Sequence, residues 1–208
     1  KFSFSHLENY KLQKPKKLEI IDFWLLIKLN QLVKSSTDAF EKYEYSRTKI
    51  ETENFFWNTF CDYYLEIIKD RLYNSDKRGQ QQKISAQYTL HYSLLTILKL
   101  LAPITPFITE EIYQHYYAKK EKCKSIHISS WPKYDSKLID KKAEKIGDKT
   151  IQIISEVRKF KAKNNKSLKT PVLLTLDKQD KDLEPILEDL KAVTNATKID
   201  FYKFNIKF

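Results

Sequence analysis

Only two glycines, Gly79 and Gly147, occur among 208 residues, together with 6 prolines. Tight hairpins and β-bulges draw on residues that tolerate left-handed backbone. A chain this poor in them is ill-equipped for a turn-rich all-β fold and is steered toward helices. The same scarcity excludes a glycine-rich phosphate loop, which needs more than one glycine within a few positions to bring backbone amides onto phosphate oxygens.

Apolar periodicity then places the helices. Over residues 18–40, Ile21, Trp24, Leu25, Ile27, Leu29, Leu32 and Val33 recur at helical spacing. A second helix is predicted over 46–73, with Phe56, Phe60, Tyr63, Ile67 and Leu72 inward. A third is predicted over 80–101, with Ile84, Tyr88, His91, Leu94, Leu95, Leu98 and Leu101 inward. Pro103 stops it. Pro106 opens a fourth over 106–117, because a first helical turn does not need the N–H that proline lacks. A charged loop, 118–130, precedes a fifth helix over 136–163 carrying Leu138, Ile146, Ile153, Ile154, Val157 and Phe160.

After Lys169 the period changes. Residues 171–176 read as a strand, 183–192 as a helix and 199–204 as a second strand. The expected fold is mainly α: an antiparallel helical bundle over residues 1–164 and a small strand-helix-strand α/β subdomain over 165–208. Within the first part, residues 1–17 form the stub of a preceding helix and a basic linker containing Pro15. The beginning, with neither an initiator Met nor an apolar signal core, reads as a piece of a longer protein.

A 41% apolar content is enough for a core, and no run of about 18 uncharged apolar residues exists to span a membrane. Two cysteines, Cys61 and Cys123, are too few for a disulfide framework and suit a reducing cytosol, so a cytoplasmic location is expected. Net charge is +11, which favours a polyanionic partner without choosing among RNA, DNA and anionic lipid.

No catalytic, cofactor-binding or metal-ligating set emerges. His6, His91, His115 and His127 lack metal-ligand spacing with one another and with the cysteines. Cys61 lies among aromatics and reads as a buried thiol. Glu110 and Glu111 suit the positive end of a helix better than an acid–base pair. Two basic clusters remain: Arg158, Lys159, Lys161, Lys163, Lys166 and Lys169, with no acid between them, and Lys1, Lys11, Lys14, Lys16 and Lys17, with only Glu8 nearby. Any one of these lysines reads most simply as solvated surface; together they suit phosphates. Aromatics, 13% of the chain, are mostly core, but Phe2 falls outside any core stripe and is placed to stack on an unpaired base.

Two segments carry a resemblance. Trp57, Phe60-Cys61-Asp62, Tyr63, Glu66, Lys69 and Arg71-Leu72-Tyr73 resemble the second bundle helix of valyl-tRNA synthetases. Leu101-Ala102-Pro103 through Pro106-Phe107-Ile108-Thr109-Glu110-Glu111, followed by Ser125-Ile126-His127 and Ser130-Trp131-Pro132, resembles the corresponding segment of the wider class I subgroup, including the isoleucyl, leucyl and methionyl enzymes. Asp22-Phe23-Trp24-Leu25 extends the likeness to most of residues 18–132. The resemblance implies the anticodon-binding domain of a class I aminoacyl-tRNA synthetase. Its parent would be an ATP- and Mg2+-dependent ligase of valine and tRNA(Val), of which this chain would be the piece that holds the anticodon stem-loop. The partners it implies are tRNA and the parent's own catalytic domain, in a monomer.

Neither catalytic signature of the class occurs. In the family an Arg-Phe pair ends the helix that leaves the catalytic domain and borders the anticodon site; Lys1-Phe2 stands in that place, with an ammonium instead of a planar fork. Asp62, Glu66, Lys69 and Arg71 are expected to form ion pairs inside the bundle. The rival readings are the same domain of an isoleucyl, leucyl or methionyl enzyme, and a non-catalytic helical scaffold for protein partners.

Overall fold

A computed structural model describes residues 2–8 and 10–208. The helices are α1 (Phe2–Leu7), α2 (Ile20–Glu41), α3 (Tyr45–Asn54), a π-helical run (Phe55–Tyr64), α4 (Leu65–Tyr73), α5 (Ser75–Arg78), α6 (Gln80–Leu101), α7 (Pro106–Tyr116), α8 (Ala118–Glu121) and α9 (Lys141–Lys163). Then come β1 (Val172–Asp177), a 3-10 stretch (Lys178–Ile186), α10 (Leu187–Thr194), β2 (Ala196–Tyr202) and β3 (Asn205–Lys207). The mainly helical architecture with a small C-terminal α/β part is the one the periodicity implies.

The long helices begin and end where local chemistry dictates. Pro106 occupies the first turn of α7. The fifth expected helix starts at Lys141 rather than at residue 136, because the Asp140 carboxylate accepts from the Lys142 and Ala143 amides at 2.9 and 3.0 Å and so caps α9. Gly79, between α5 and α6, has φ +95°, which only glycine adopts without strain. Gly147 serves packing instead. A Cβ there would lie 2.1 Å from Trp24 Cγ, so its absence is what lets α9 approach α2.

Between α3 and α4 the helix widens. The Leu65 N–H reaches back five residues to the Phe60 carbonyl, and the inward residues become Phe55, Phe60 and Tyr64. These are spaced by five and four, as a π-helical turn requires. Phe56 and Tyr63, expected inward from a 3.6-residue period, are only half-buried.

The sheet has the order β2-β1-β3, with β2 parallel and β3 antiparallel to β1. The single second strand expected over 199–204 is thus two pieces. The chain passes the end of β1, where the Phe204 amide donates to Asp177 Oδ1 (2.9 Å), and returns on the other edge. Val172, Leu174 and Leu176 of β1 alternate inward and belong to the same core cluster as Ile21, Trp24, Ile67, Ile154 and Leu190.

A buried ion network crosses that shared core. Arg71 Nη1 donates to Asp22 Oδ2 (2.8 Å), while its Nε and Nη2 grip the two oxygens of Asp189 (3.0 and 2.7 Å). Tyr64 and Ser85 hydroxyls also donate to Asp22, and Arg78 binds Asp189 and Asp70, each at 2.6 Å. Burial opposes the Arg71 charge, but Asp22 and Asp189 outweigh it and raise its pKa, so the guanidinium stays protonated.

Candidate nucleic-acid interface

A groove of about 880 Å³ runs between α4, the C-terminal half of α9 and the end of α10. The network just described sets its walls, since Arg71 on α4 and Asp189 on α10 are clamped together. Lys69 and Tyr73 lie one turn apart on the α4 wall, and Arg158 and Lys169 come from α9 and the loop after it. The acids of the groove are already engaged: Glu66 pairs with Lys69, and Asp70 with Arg78. Arg158 is held by its Nη2 donating to the Asp62 carbonyl (2.8 Å) and by stacking 4.9 Å from the Tyr63 ring centre. That leaves a fixed guanidinium beside a solvent-exposed Lys169, an arrangement that attracts phosphate.

Phe2 joins this groove from the other end of the chain. Its ring lies 4.7 Å from His6 and 6.2 Å from Tyr73, with the Lys69 ammonium 5.9 Å above it. Tyr73 is exposed and His6 packs edge-on to it at 4.7 Å. The groove therefore has an aromatic rim as well as a basic wall, the combination that unpaired bases and their phosphates require.

The other basic residues distribute differently. Lys161 is the clear correction: it is 1% exposed, and its ammonium donates to the Leu168 and Thr194 carbonyls, both at 2.7 Å. Its charge caps α10 and pins the loop before β1 instead of facing a phosphate, and burial lowers its pKa. Lys159 is exposed and paired with Glu156 (3.0 Å), Lys163 is exposed, and the Lys166 ammonium sits 5.9 Å over Phe208; these three do not line the groove. Lys11, Lys14, Lys16 and Lys17 are on the segment after α1, and Lys14 lines a separate trough along α6. Lys1 lies outside the described residues.

Glu66, Lys69 and Arg71 form ion pairs as expected, whereas Asp62 makes none among the described residues and contributes its carbonyl instead. Sequence reasoning missed Tyr73. Its spacing of four from Lys69 was the available signal, hidden because both were read as part of a structural helix. Burial, with Asp62 adding, raises the Cys61 thiol to about 11, keeping it protonated.

A helical bundle with this basic and aromatic groove matches, over residues 22–176, the family model of the anticodon-binding domain of tRNA ligase, and the chain belongs to that family. Among its relatives, it is 35% identical to the valine–tRNA ligase of Thermococcus kodakarensis, over 98% of this chain and 23% of that protein. It is 38% identical to the valine–tRNA ligase of Rickettsia rickettsii (97% and 25%) and 39% identical to that of the Wolbachia of Brugia malayi (88% and 21%). The chain spans about a quarter of the length of the curated relatives it matches.

Proposed function

We propose that this chain is the tRNA-binding part of a valine–tRNA ligase and holds the anticodon stem-loop of tRNA(Val) in the groove between α4, α9 and α10. The observation that carries the reading is the convergence of Phe2, Tyr73, Arg158 and Lys169 on one groove from distant parts of the sequence. The relatives named above are valine–tRNA ligases, which favours valine over isoleucine, leucine or methionine. In this reading ATP, Mg2+ and the ligation itself belong to a catalytic domain elsewhere in a monomeric cytoplasmic parent. Residues 1–164 supply most of the RNA contacts, and residues 165–208 brace the groove through α10. Lys159, Lys163 and Lys166 act at longer range, as positive field rather than fixed contacts.

Mechanistically, phosphates settle on Arg158 and Lys169 while an unpaired base stacks on Phe2 or Tyr73. Phosphate contacts position the loop; the aromatic rim and base edges supply discrimination. The test is binding of the tRNA(Val) anticodon stem-loop to this chain across a salt series. Joint Arg158→Ala and Lys169→Ala replacement should weaken binding and reduce the slope of log K against log salt by about two. Absence of affinity at low salt sinks the reading, and equal binding of the tRNA(Ile) stem-loop sinks the valine assignment.

A further inference from the structure

A second trough lies along α6, away from the groove just described. Its larger part, about 460 Å³, continues into a smaller part of about 180 Å³, and Lys14, Tyr88, Tyr92, Thr96 and Lys133 line both. Together they have the size of a single-nucleotide site. Lys14, Lys99 and Lys133 bring three positive charges to the larger part against one acid, Glu121. In the smaller part the acid, Asp135, is already occupied by the Lys137 amide at 2.8 Å.

The aromatic side is equally organised. Tyr88 and Tyr92, one turn apart on α6, have rings 11° from parallel with centres 6.3 Å apart, and Tyr92 is 44% exposed. A planar ring is thus fixed by its neighbour and offers a face to solvent beside three ammonium groups. Trp131 closes one side of the trough. At its floor His91 is buried, and neither ring nitrogen has a hydrogen-bond partner among the described residues; the Glu121 carboxylate, at 3.8 Å from Nε2, is too far for one. A buried polar group left without a partner gains from an incoming polar ligand.

We infer that this trough is a second subsite for an unpaired RNA nucleotide, its base stacked on Tyr92 and its phosphates on Lys14, Lys99 and Lys133. The inference rests on the reading of the chain as an RNA-binding domain but uses none of the residues of the first groove. It gives a place to Lys14, which the first groove leaves unused. Charge complementarity favours a nucleotide strand over an apolar partner helix, since ammonium groups flank the stacking face.

The experiment uses this chain with a photoreactive thiouridine-containing oligouridylate about five nucleotides long, within the site sizes of single-strand binding folds. Crosslinks should map to the α6 peptide containing Tyr88 and Tyr92 or to the peptide containing Trp131. Tyr92→Ala should weaken oligouridylate binding about tenfold. Joint Lys99→Ala and Lys133→Ala replacement should reduce the salt slope by about two. The Arg158→Ala, Lys169→Ala variant should retain the α6 crosslink. These positions are at the surface, and unchanged helical circular dichroism checks that the variants fold. Competition by AMP as effective per molecule as the oligonucleotide would replace the strand with a free mononucleotide and overturn the proposal, as would crosslinks confined to the first groove. If the stem-loop binds through Arg158 and Lys169 while the α6 variants change nothing, the second subsite fails and the proposed function stands. If the stem-loop fails to bind but the oligouridylate crosslinks to α6, the proposed function fails and this subsite stands.

Discussion

Lysine rarely enters a protein core, and Lys161 does so because two carbonyls, from Leu168 and Thr194, are there to receive it. Arg71 follows the same rule on a larger scale, buried between Asp22 and Asp189. Removing one member of such a set strands the others. Arg71→Met should therefore lower stability by about 3–5 kcal/mol in urea unfolding; a loss below about 1 kcal/mol would show that Asp22 and Asp189 do not depend on it. His91 makes a pH prediction. An unfolded imidazole titrates near 6.5, whereas burial, with Lys120 adding, takes the folded His91 down to about 4. The unfolded chain then takes up the proton first. This contribution to stability is fully present above about pH 6.5 and is lost as pH falls toward 4, by up to about 3 kcal/mol. His91→Phe should flatten stability across that window; an unchanged pH slope would assign the effect to other groups. In the sequence, Lys161 and Lys163 are two lysines in one basic run. Nothing local separates them, because the partners of Lys161 lie 7 and 33 residues away.

At the level of elements, most helices were legible. The boundaries of α2, α6 and α7 follow from apolar spacing and from Pro106. The π-helical run was not, because the same aromatic residues fit a 3.6-residue period and a wider one; packing against α2 and α6 selects Phe55, Phe60 and Tyr64. The α2–α9 crossing depends on Gly147, and Gly147→Ala should cost at least about 1–3 kcal/mol by driving a methyl into Trp24. Gly79→Ala should cost a similar amount, about 1–3 kcal/mol, from backbone strain alone, since open space surrounds that position. The two mechanisms separate in a double-mutant test: Trp24→Leu should recover part of the Gly147→Ala loss and none of the Gly79→Ala loss. Equal recovery at both sites would contradict the packing account.

Across the whole molecule, one core joins the bundle to the C-terminal sheet. Leu174 and Leu176 of β1 pack in the cluster that contains Trp24 and Ile67, and Asp189 completes the Arg71 network. Two parts joined in this way should unfold together. Thermal unfolding followed by far-ultraviolet circular dichroism and by Trp24 and Trp131 fluorescence should show coincident transitions. Separate midpoints would mean that the sheet and the bundle are independent units. The same union shapes the RNA groove, whose walls are α4 and α9 of the bundle and α10 beyond β1.

The sequence by itself determined the helical class, the change of period after Lys169, the positive charge and the family. These rest on local spacing, on the proline and glycine count, and on motif residues that build the bundle. Only the tertiary structure decided why each glycine is needed, which lysine is buried, and which aromatic and basic groups share a groove. Phe2 and Arg158 are separated by most of the chain, and only a packed core brings them to one surface. Periodicity reports which face of an element turns inward. It carries no information about what that face meets, and the meeting is what makes a site.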